Sequence, residues 1–284
     1  MATRFEALIL YDEKHYARQA VEAAFAEVDR LEQLLSRYVE TSDISRINNL
    51  QTGESTLIGL ETYACLSECQ QLFKETNGAF DVGAGNLIDA WKNPTRSNEK
   101  LETLPEEISI HNLRLTSPPP TAETERRSIT IDLGGYGKGY ALDRMAELLR
   151  EWEVDCALLH SGMSTALALE PPPNEAGWPI TISHPLSQAI IKTLTLSNVA
   201  LSGSGLQKGR HIIDPRTGRA VTHTQSAWAV ADSAARADAL STAFMVMQRE
   251  ETESYFEVHP DKQGAVLSSN GEFFWYGPPT GQSA

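Results

Sequence analysis

The spacing of apolar residues predicts several helices and strands in the first third of the chain. Apolar residues recur at three- and four-residue steps across 21–35, which predicts an amphipathic helix. The β-forming run 5–11 predicts a strand before it, and 41–43 offers an N-cap for a short helix. A second helical pattern, 60–73, is followed by Asn77-Gly78, residue types that tolerate a positive φ and therefore end helices.

The pattern changes in the second half of the chain, where strands predominate. Two helices are predicted there, from about 139 to 152 and from about 234 to 248. The predicted short strands are 129–131, 157–160, 180–182 and 227–230. Because helices and strands alternate without a repeated βαβ order, the pattern favours an α+β fold over a doubly wound α/β sheet.

One Pro-rich segment interrupts the chain. Residues 117–127 contain three consecutive prolines and several charges, so we expect a surface loop without a helix or a central strand. The length of 284 residues suits one domain or two interleaved subdomains. We therefore expect a single domain over 1–284, with a subdomain boundary near 117–128.

Composition and charge exclude some functions. The formal net charge of −14 excludes a basic nucleic-acid-binding protein, and no run of about 20 apolar residues predicts a membrane span. The first ten residues include Arg4 and Glu6 and lack the apolar run of a secretion signal, so the chain as written is expected in the cytoplasm. Three cysteines are too few for a disulfide framework.

The densest candidate motif is a glycine-rich turn before a predicted helix. Residues 131–140 read Ile-Asp-Leu-Gly-Gly-Tyr-Gly-Lys-Gly-Tyr, with four glycines in six residues. Such glycines let backbone groups approach a ligand, and the amides at a helix N-terminus favour anions. The spacing matches neither a Walker A loop nor a dinucleotide-binding fingerprint, and a purely structural turn is equally compatible with it.

Asp238 and Thr242 form a second candidate pair. They lie four residues apart, so on a helix their oxygens project from one face and could share a hard cation. The alternative is that Asp238 stabilises the helix N-terminus and that Thr242 bonds back to a backbone carbonyl.

The third candidate is His211, which comes just before the turn sequence Asp-Pro-Arg-Thr-Gly at 214–218. A histidine there could donate to a phosphate or transfer a proton near neutral pH. A structural histidine within a strand is the competing interpretation.

Together with 35–38, 45–48 and 78–81, these motifs resemble the ApbE family of flavin transferases. The resemblance runs from Met1-Ala2-Thr3, similar to the family's opening M-G-T, to about Met247. It implies two interleaved α+β subdomains, with mixed or antiparallel sheets and FAD in the cleft between them. It also implies a Mg²⁺-dependent FAD:protein FMN transferase. This enzyme splits the FAD pyrophosphate, attaches FMN by a phosphoester to a Thr or Ser of an acceptor flavoprotein subunit, and releases AMP.

The resemblance also implies roles for individual residues. The implied FAD-binding residues are Met1, Tyr38, Asn48, Ala79, Phe80, Asp81, Asp132, Lys138 and His211. The implied magnesium ligands are the Gly135 carbonyl and the side chains of Asp238 and Thr242. The candidate catalytic residues are His211 and Asp238. A general base could remove the proton of the attacking hydroxyl, and our hypothesis for this base is His211 or a carboxylate near the metal.

Three positions depart from the family pattern. Ala2 replaces the opening glycine, 82–87 replaces the usual P-T-V-G-P-L, and Gly162-Met163 replaces a glycine pair. Cell-surface members also carry a secretion signal and a lipidated cysteine before the opening motif. A missing upstream segment would therefore place this protein in the periplasm or at the cell surface instead of the cytoplasm.

Two rival functions use the same motifs. In a Mg²⁺-dependent FAD pyrophosphatase, water replaces the threonine and the products are FMN and AMP. A non-catalytic FAD-binding protein would retain FAD and release no AMP.

Overall fold

The described residues contain seven α-helices. The computed structural model describes residues 3–92, 108–125, 129–206 and 212–278. In chain order the α-helices are α1 (Lys14–Leu35), α2 (Asp43–Asn48), α3 (Leu60–Glu75), α4 (Gly85–Lys92), α5 (Gly137–Glu151), α6 (Ala234–Val246) and α7 (Arg249–Val258). None of these helices is long and apolar enough to cross a membrane.

The strands of the described residues pair antiparallel throughout. In chain order they are β1 (Phe5–Ile9), β2 (Ser55–Leu57), β3 (Leu113–Thr116), β4 (Thr121–Thr124), β5 (Ala157–Ser161), β6 (Thr165–Ala168), β7 (Trp178–Ser183), β8 (Ile190–Leu196), β9 (Val199–Gly205), β10 (Ile213–Asp214), β11 (Arg219–Ala220), β12 (Thr224–Ala231), β13 (Gln263–Ser268) and β14 (Phe273–Tyr276).

The chain forms two compact units that interleave along the sequence. Unit 1 comprises 1–29, 136–207 and 223–284, and unit 2 comprises 30–135 and 208–222. The described part of the Pro-rich segment lies inside unit 2, and one division falls between Gly135 and Tyr136. The sequence prediction of a single transferase domain over 1–284 stays a prediction.

Unit 1 is built on a seven-stranded sheet with the strand order β1-β5-β6-β9-β12-β13-β14. On one face, α6 packs against β9 and β12, and α5 packs against α6. The β7–β8 hairpin contributes to an apolar cluster on the other face. This cluster includes Trp178, Leu194, Leu201 and Trp228. The unit therefore has three layers, and its helical layer carries Lys138 and Asp238.

Unit 2 combines α2, α3 and α4 with a three-stranded sheet in the order β2-β4-β3 and the two-stranded β10–β11 sheet. Ser42 caps α2 by accepting a hydrogen bond from the Ser45 amide at 3.0 Å. After α3, Asn77 and Gly78 take positive φ values of 50° and 75°. The chain leaves the helix there, as the sequence predicts.

The α+β class, predicted from the order of elements and implied by the resemblance, is confirmed. Of the mixed or antiparallel sheets that the resemblance implies, the described strands form antiparallel ones. The two helices predicted in the second half correspond to α5 and α6. The prediction of a surface loop over 117–127 was wrong for 121–124. These residues form β4, the central strand of the three-stranded sheet. The prolines occupy the turn between β3 and β4, so they never have to donate within the sheet.

The prediction of a strand at 129–131 was also wrong. Thr130 makes only an isolated parallel bridge with Ala84. The backbone of Ile131 is instead bonded by the Asn48 side chain, whose oxygen accepts from the Ile131 amide at 2.7 Å and whose nitrogen donates to the Ile131 carbonyl at 3.0 Å. For Ile131 a side-chain amide thus takes the place of a neighbouring strand, while Thr130 and Asp132 bond to the backbone of Gly85 and Val82.

Candidate functional site

The glycine-rich turn leads directly into α5, as the sequence pattern indicates. Tyr136 is the N-cap residue of α5 and its side chain makes no capping bond, while Gly137 and Lys138 are the first two helical residues. The ammonium of Lys138 donates to both carboxylate oxygens of Asp238, at 3.2 Å and 2.9 Å. Two of the predicted site residues, 100 positions apart in sequence, are therefore in contact within unit 1.

Asp238 lies in α6 and is only 3% exposed. Besides Lys138, the Ser202 hydroxyl lies 3.5 Å from its Oδ1 atom. The Thr242 hydroxyl donates to the Asp238 backbone carbonyl at 3.1 Å, as the competing interpretation of this pair anticipated. The Asp238 carboxylate does not cap its own helix, however, because Ser233 and Asp143 cap α6.

The packing of α5 against α6 positions Lys138 and Asp238. The Asp143 carboxylate on α5 accepts from the amides of Ala234 at 2.7 Å and Ala235 at 2.9 Å. Gly139 faces the same point, where a Cβ would collide with the Ala234 carbonyl. Glycine at this position lets the two helices approach, and the Asp143 carboxylate stabilises the positive end of the α6 dipole.

Asp132 and Asn48 come together in unit 2. Asn48 holds Ile131 through the oxygen and the nitrogen of its side-chain amide, so the next residue, Asp132, is fixed in position. The Asp132 carboxylate accepts from Arg37 Nη1 at 3.0 Å and from the Gly134 amide at 2.8 Å. Arg37 also pairs with Asp89. Although burial lowers the pKa of Arg37, the two carboxylates raise it more, so the guanidinium stays charged.

Asp81 anchors the loop that contains Ala79 and Phe80. Its Oδ1 atom accepts from the amides of Gly83 at 2.8 Å and Ile110 at 2.9 Å. Burial raises the pKa of the Asp81 carboxyl, and these hydrogen bonds oppose that rise. The side chains of Ala79 and Phe80 are buried, so a ligand would meet the backbone of this loop.

The segment 82–87, which departs from the family pattern, packs closely at both of its glycines. A Cβ at Gly83 would collide with the backbone of Ile110 and Ser109, and a Cβ at Gly85 would meet the Thr130 carbonyl. The Asp132 amide also donates to the Val82 carbonyl at 2.8 Å. The glycines therefore allow two backbone segments of unit 2 to pack closely.

Tyr38 is 75% exposed, and the guanidinium carbon of Arg37 lies 5.4 Å from its ring centroid. An exposed ring beside a fixed cation can stack on a planar ligand. Met1 and His211, predicted to bind FAD, lie outside the described residues.

The donor set around Asp238 suits a hard cation. It consists of carboxylate and hydroxyl oxygens from Asp238, Thr242, Ser202 and Ser204. The described residues contain no group of three or more His, Cys, Asp or Glu side chains able to hold a metal ion. Mg²⁺ fits such a site, because it binds through one or two carboxylates and completes its shell with water and phosphate oxygens.

Sequence reasoning missed three residues that support these sites: Arg37, Asp143 and Ser202. Arg37 was visible beside Tyr38, but its carboxylate partners are 52 and 95 positions away. The alternating Ser and Gly residues of 202–205 were the available signal for Ser202. Such alternation places hydroxyls on one face of a strand.

Comparisons with known proteins give one family. The model described as "ApbE family" matches residues 1–267. The chain is 27% identical to the FAD:protein FMN transferase of Haemophilus influenzae over 240 residues, which cover 75% of this chain and 68% of the relative. It is 26% identical to the Vibrio cholerae FAD:protein FMN transferase over 247 residues, which cover 79% and 73% of the two chains.

Solved structures share the fold. The ApbE protein of Thermotoga maritima matches with a TM-score of 0.84 and 24% identity, covering 95% of this chain and 96% of that one. The flavin transferase ApbE from Vibrio cholerae matches with a TM-score of 0.84 and 22% identity, covering 97% and 94%.

Proposed function

The chain belongs to the ApbE family, and we propose that it is a Mg²⁺-dependent FAD:protein FMN transferase. The hydroxyl oxygen of a Thr or Ser on an acceptor flavoprotein forms a bond to the phosphorus of the FMN half of FAD. The bond from that phosphorus to the bridging oxygen breaks, AMP leaves, and the hydroxyl proton passes to a base. The observation that carries the proposal is the buried Asp238 carboxylate, placed among hydroxyls and contacted by Lys138.

Mg²⁺ would be held by the side chains of Asp238 and Thr242 and by the Gly135 carbonyl. When bound, it neutralises charge on the phosphates and makes AMP a better leaving group. Asp238 suits the role because it is buried and already contacts a cation, the Lys138 ammonium.

Lys138 and the amides at the start of α5 bind phosphate oxygens. The N-terminal amides of a helix point outward and carry the positive end of its dipole. Lys138, in the first turn, adds a full positive charge. These groups supply the local positive charge that a protein with a net charge of −14 needs in order to hold a pyrophosphate.

The flavin half of FAD contacts Tyr38, Met1 and the loop of Ala79, Phe80 and Asp81. Support comes from the exposed Tyr38 ring, which offers a flat surface to an isoalloxazine. Asp132 binds FAD with a carboxylate held in place by Arg37, and Asn48 contributes by holding the Ile131 backbone.

The general base is His211 or a carboxylate near the metal, of which Asp238 is the candidate. Either group could remove the proton of the attacking hydroxyl. Replacing His211 with Ala and measuring transfer across a range of pH separates them. Loss of the acidic limb of the pH profile assigns the base to His211, and an unchanged profile assigns it to the carboxylate.

Asp238→Asn tests the proposal, with Asp232→Asn as a matched control because the Asp232 side chain is 87% exposed. We expect Asp238→Asn to abolish Mg²⁺-dependent AMP release from FAD, while FAD binding, followed by flavin fluorescence, is largely retained. Direct titration with Mn²⁺ should show loss of metal binding in the same variant. Unchanged AMP release and Mn²⁺ binding in Asp238→Asn would refute the assignment.

A further inference from the structure

A row of buried hydroxyls crosses three neighbouring strands of the seven-stranded sheet behind Asp238. Ser161 on β5 pairs in register with Thr165 on β6, and Thr165 pairs with Ser202 on β9. All three side chains are buried. Directly paired residues of adjacent strands point to the same face of a sheet, and here that face meets α6, because Ser202 contacts Asp238.

Hydrogen bonds link this row to the proposed metal ligands. The Thr165 and Ser202 hydroxyl oxygens are 2.9 Å apart, and Ser202 Oγ is 3.5 Å from Asp238 Oδ1. Two residues further along β9, the Ser204 hydroxyl lies 2.9 Å from that of Ser241 and 3.3 Å from that of Thr242. The hydroxyls thus flank both Asp238 and Thr242.

The sequence of β9 places these groups by simple alternation. Ser202 and Ser204 face α6, while Gly203 and Gly205 face the other side. A Cβ at Gly203 would collide with the indole of Trp228, a member of the apolar cluster on that side. The Ser-Gly-Ser-Gly run therefore sets a polar surface under α6 and leaves room for Trp228.

The number of hydroxyl protons determines which group donates and which accepts in each hydrogen bond of this network. Each hydroxyl has one proton to donate. Ser241 and Thr242 both lie within bonding distance of the Asp238 backbone carbonyl, at 2.9 Å and 3.1 Å. If they donate there, Ser241 has no proton left for Ser202, whose hydroxyl oxygen is 3.5 Å from its own. The Asp238 carboxylate accepts from Ser202, so Ser202 in turn accepts from Thr165. When Ser204 donates its one proton to Ser241, the nearer of its two partners, the lone pairs of Thr242 Oγ1 stay available to a cation.

We propose that Ser202, supported by Thr165, is a positioning residue that orients the Asp238 carboxylate for its metal. The inference rests on the proposed function, because it assumes that Asp238 binds Mg²⁺. Buried hydroxyls cost free energy relative to alanine or valine unless they are hydrogen-bonded. A network in which the hydroxyls satisfy one another and end on one carboxylate is suited to fixing the orientation of that carboxylate.

Ser202→Ala and Thr165→Val test the proposal on the full chain. Free Mn²⁺, counted by electron paramagnetic resonance, gives the metal affinity, and AMP release from FAD at varied Mg²⁺ gives the half-saturating concentration. Loss of a group that orients a metal ligand typically lowers metal affinity about 10- to 100-fold. We expect a loss of about tenfold for Ser202→Ala, with the maximal rate recovered at saturating Mg²⁺.

Ser161→Ala is the matched control. Ser161 lies in the same row, but its buried hydroxyl makes no hydrogen bond within the described residues, so the same chemical change should leave Mn²⁺ affinity at the wild-type value. Thr165→Ser keeps the hydroxyl and should restore what Thr165→Val loses. Thermal unfolding followed by circular dichroism identifies folded variants, and Thr165→Val decides the matter if Ser202→Ala does not fold.

The outcomes separate this inference from the proposed function. Wild-type Mn²⁺ affinity in Ser202→Ala and Thr165→Val, together with lost affinity in Asp238→Asn, would overturn the positioning role alone. If the wild type binds no Mn²⁺, or binds it no more tightly than Asp238→Asn does, the proposed metal site is wrong, and the positioning role is wrong with it.

Discussion

Asp238 and Lys138 carry opposite charges in a site with little access to water. The Asp238 side chain is 4% exposed and the Lys138 side chain 25%, so their attraction is screened less than that of a surface pair. The pair keeps a buried carboxylate neutralised by a cation. A metal bound by Asp238 would either share this carboxylate with Lys138 or replace Lys138 as the partner of the carboxylate.

Lys138→Met therefore destabilises the metal-free protein. It removes the ammonium, preserves most of the side-chain volume, and leaves a buried carboxylate without that cation. Losing one partner of a buried ion pair typically costs about 3–5 kcal/mol, and we expect about 3 kcal/mol because Lys138 is partly exposed. Urea unfolding measures this loss. Mg²⁺ should recover part of it, because a ligand that binds only the folded state stabilises that state.

Arg18→Met is the control for Lys138→Met. The Arg18–Glu22 pair is exposed at both ends, so its loss should change the unfolding free energy by less than about 1 kcal/mol. Equal stability of Lys138→Met and wild type without metal, together with no response to Mg²⁺, would show that Lys138 does not stabilise the buried Asp238 carboxylate.

Asp43 makes the stability of unit 2 depend on pH. Although burial raises its pKa, hydrogen bonds from the Gly59 amide, the Thr62 hydroxyl and Arg46 lower it more, so the folded-state pKa lies below its ordinary value of 3.8. A lowered folded-state pKa means that the stabilisation is present above the unfolded-state pKa and is lost as pH falls through the folded-state value.

Asp43→Asn should consequently be less stable than wild type near neutral pH, by about 1–3 kcal/mol for hydrogen bonds to a buried charged group. The difference should shrink as pH falls below 3.8, because wild type then loses the same charge. Chemical unfolding at about pH 7, 5 and 3 measures it. A difference that stays constant over this range would show that the charge of Asp43 contributes nothing.

The joint between α5 and α6 is the element on which the proposed metal site depends. Gly139→Ala places a Cβ against the Ala234 carbonyl, so the two helices must move apart. We expect a loss of about 1–3 kcal/mol from overpacking. Weaker Mn²⁺ binding should accompany it, since Lys138 and Asp238 sit on these helices. Gly59→Ala is the control, because its Cβ would make only an ordinary 3.4 Å contact. Equal Mn²⁺ affinity in both variants would argue against this joint as the positioning element.

Local sequence patterns predicted the helices and strands better than they predicted contacts between distant residues. The helices α1 and α3 follow from apolar periodicity, and the start of α2 and the end of α3 follow from residues within a few positions, Ser42 and Asn77-Gly78. At 129–131, where a strand was predicted, the backbone of Ile131 bonds to the side chain of Asn48, 83 positions away, and local spacing does not encode such a contact. The Asp238–Lys138 pair and the Ser202 contact also join distant positions, which no local spacing encodes.

Over the whole molecule, a net charge of −14 opposes the binding of a doubly phosphorylated substrate. The proposed enzyme offsets this repulsion locally with Lys138, with helix amides and with a divalent cation. Phosphoryl transfer to a protein hydroxyl then differs from hydrolysis only in which oxygen attacks. FMN attached to a protein therefore identifies a transferase, and free FMN identifies a pyrophosphatase.

The most direct measurement is the ratio of protein-bound flavin to AMP. The protein is incubated with FAD, Mg²⁺ and proteins extracted from the organism that encodes it. Bound flavin is measured by fluorescence on a denaturing gel and AMP by chromatography. We expect one flavin on a Thr or Ser for each AMP released, and neither product with Asp238→Asn. AMP accompanied by free FMN, with no flavin on any protein, would contradict the proposed transferase activity.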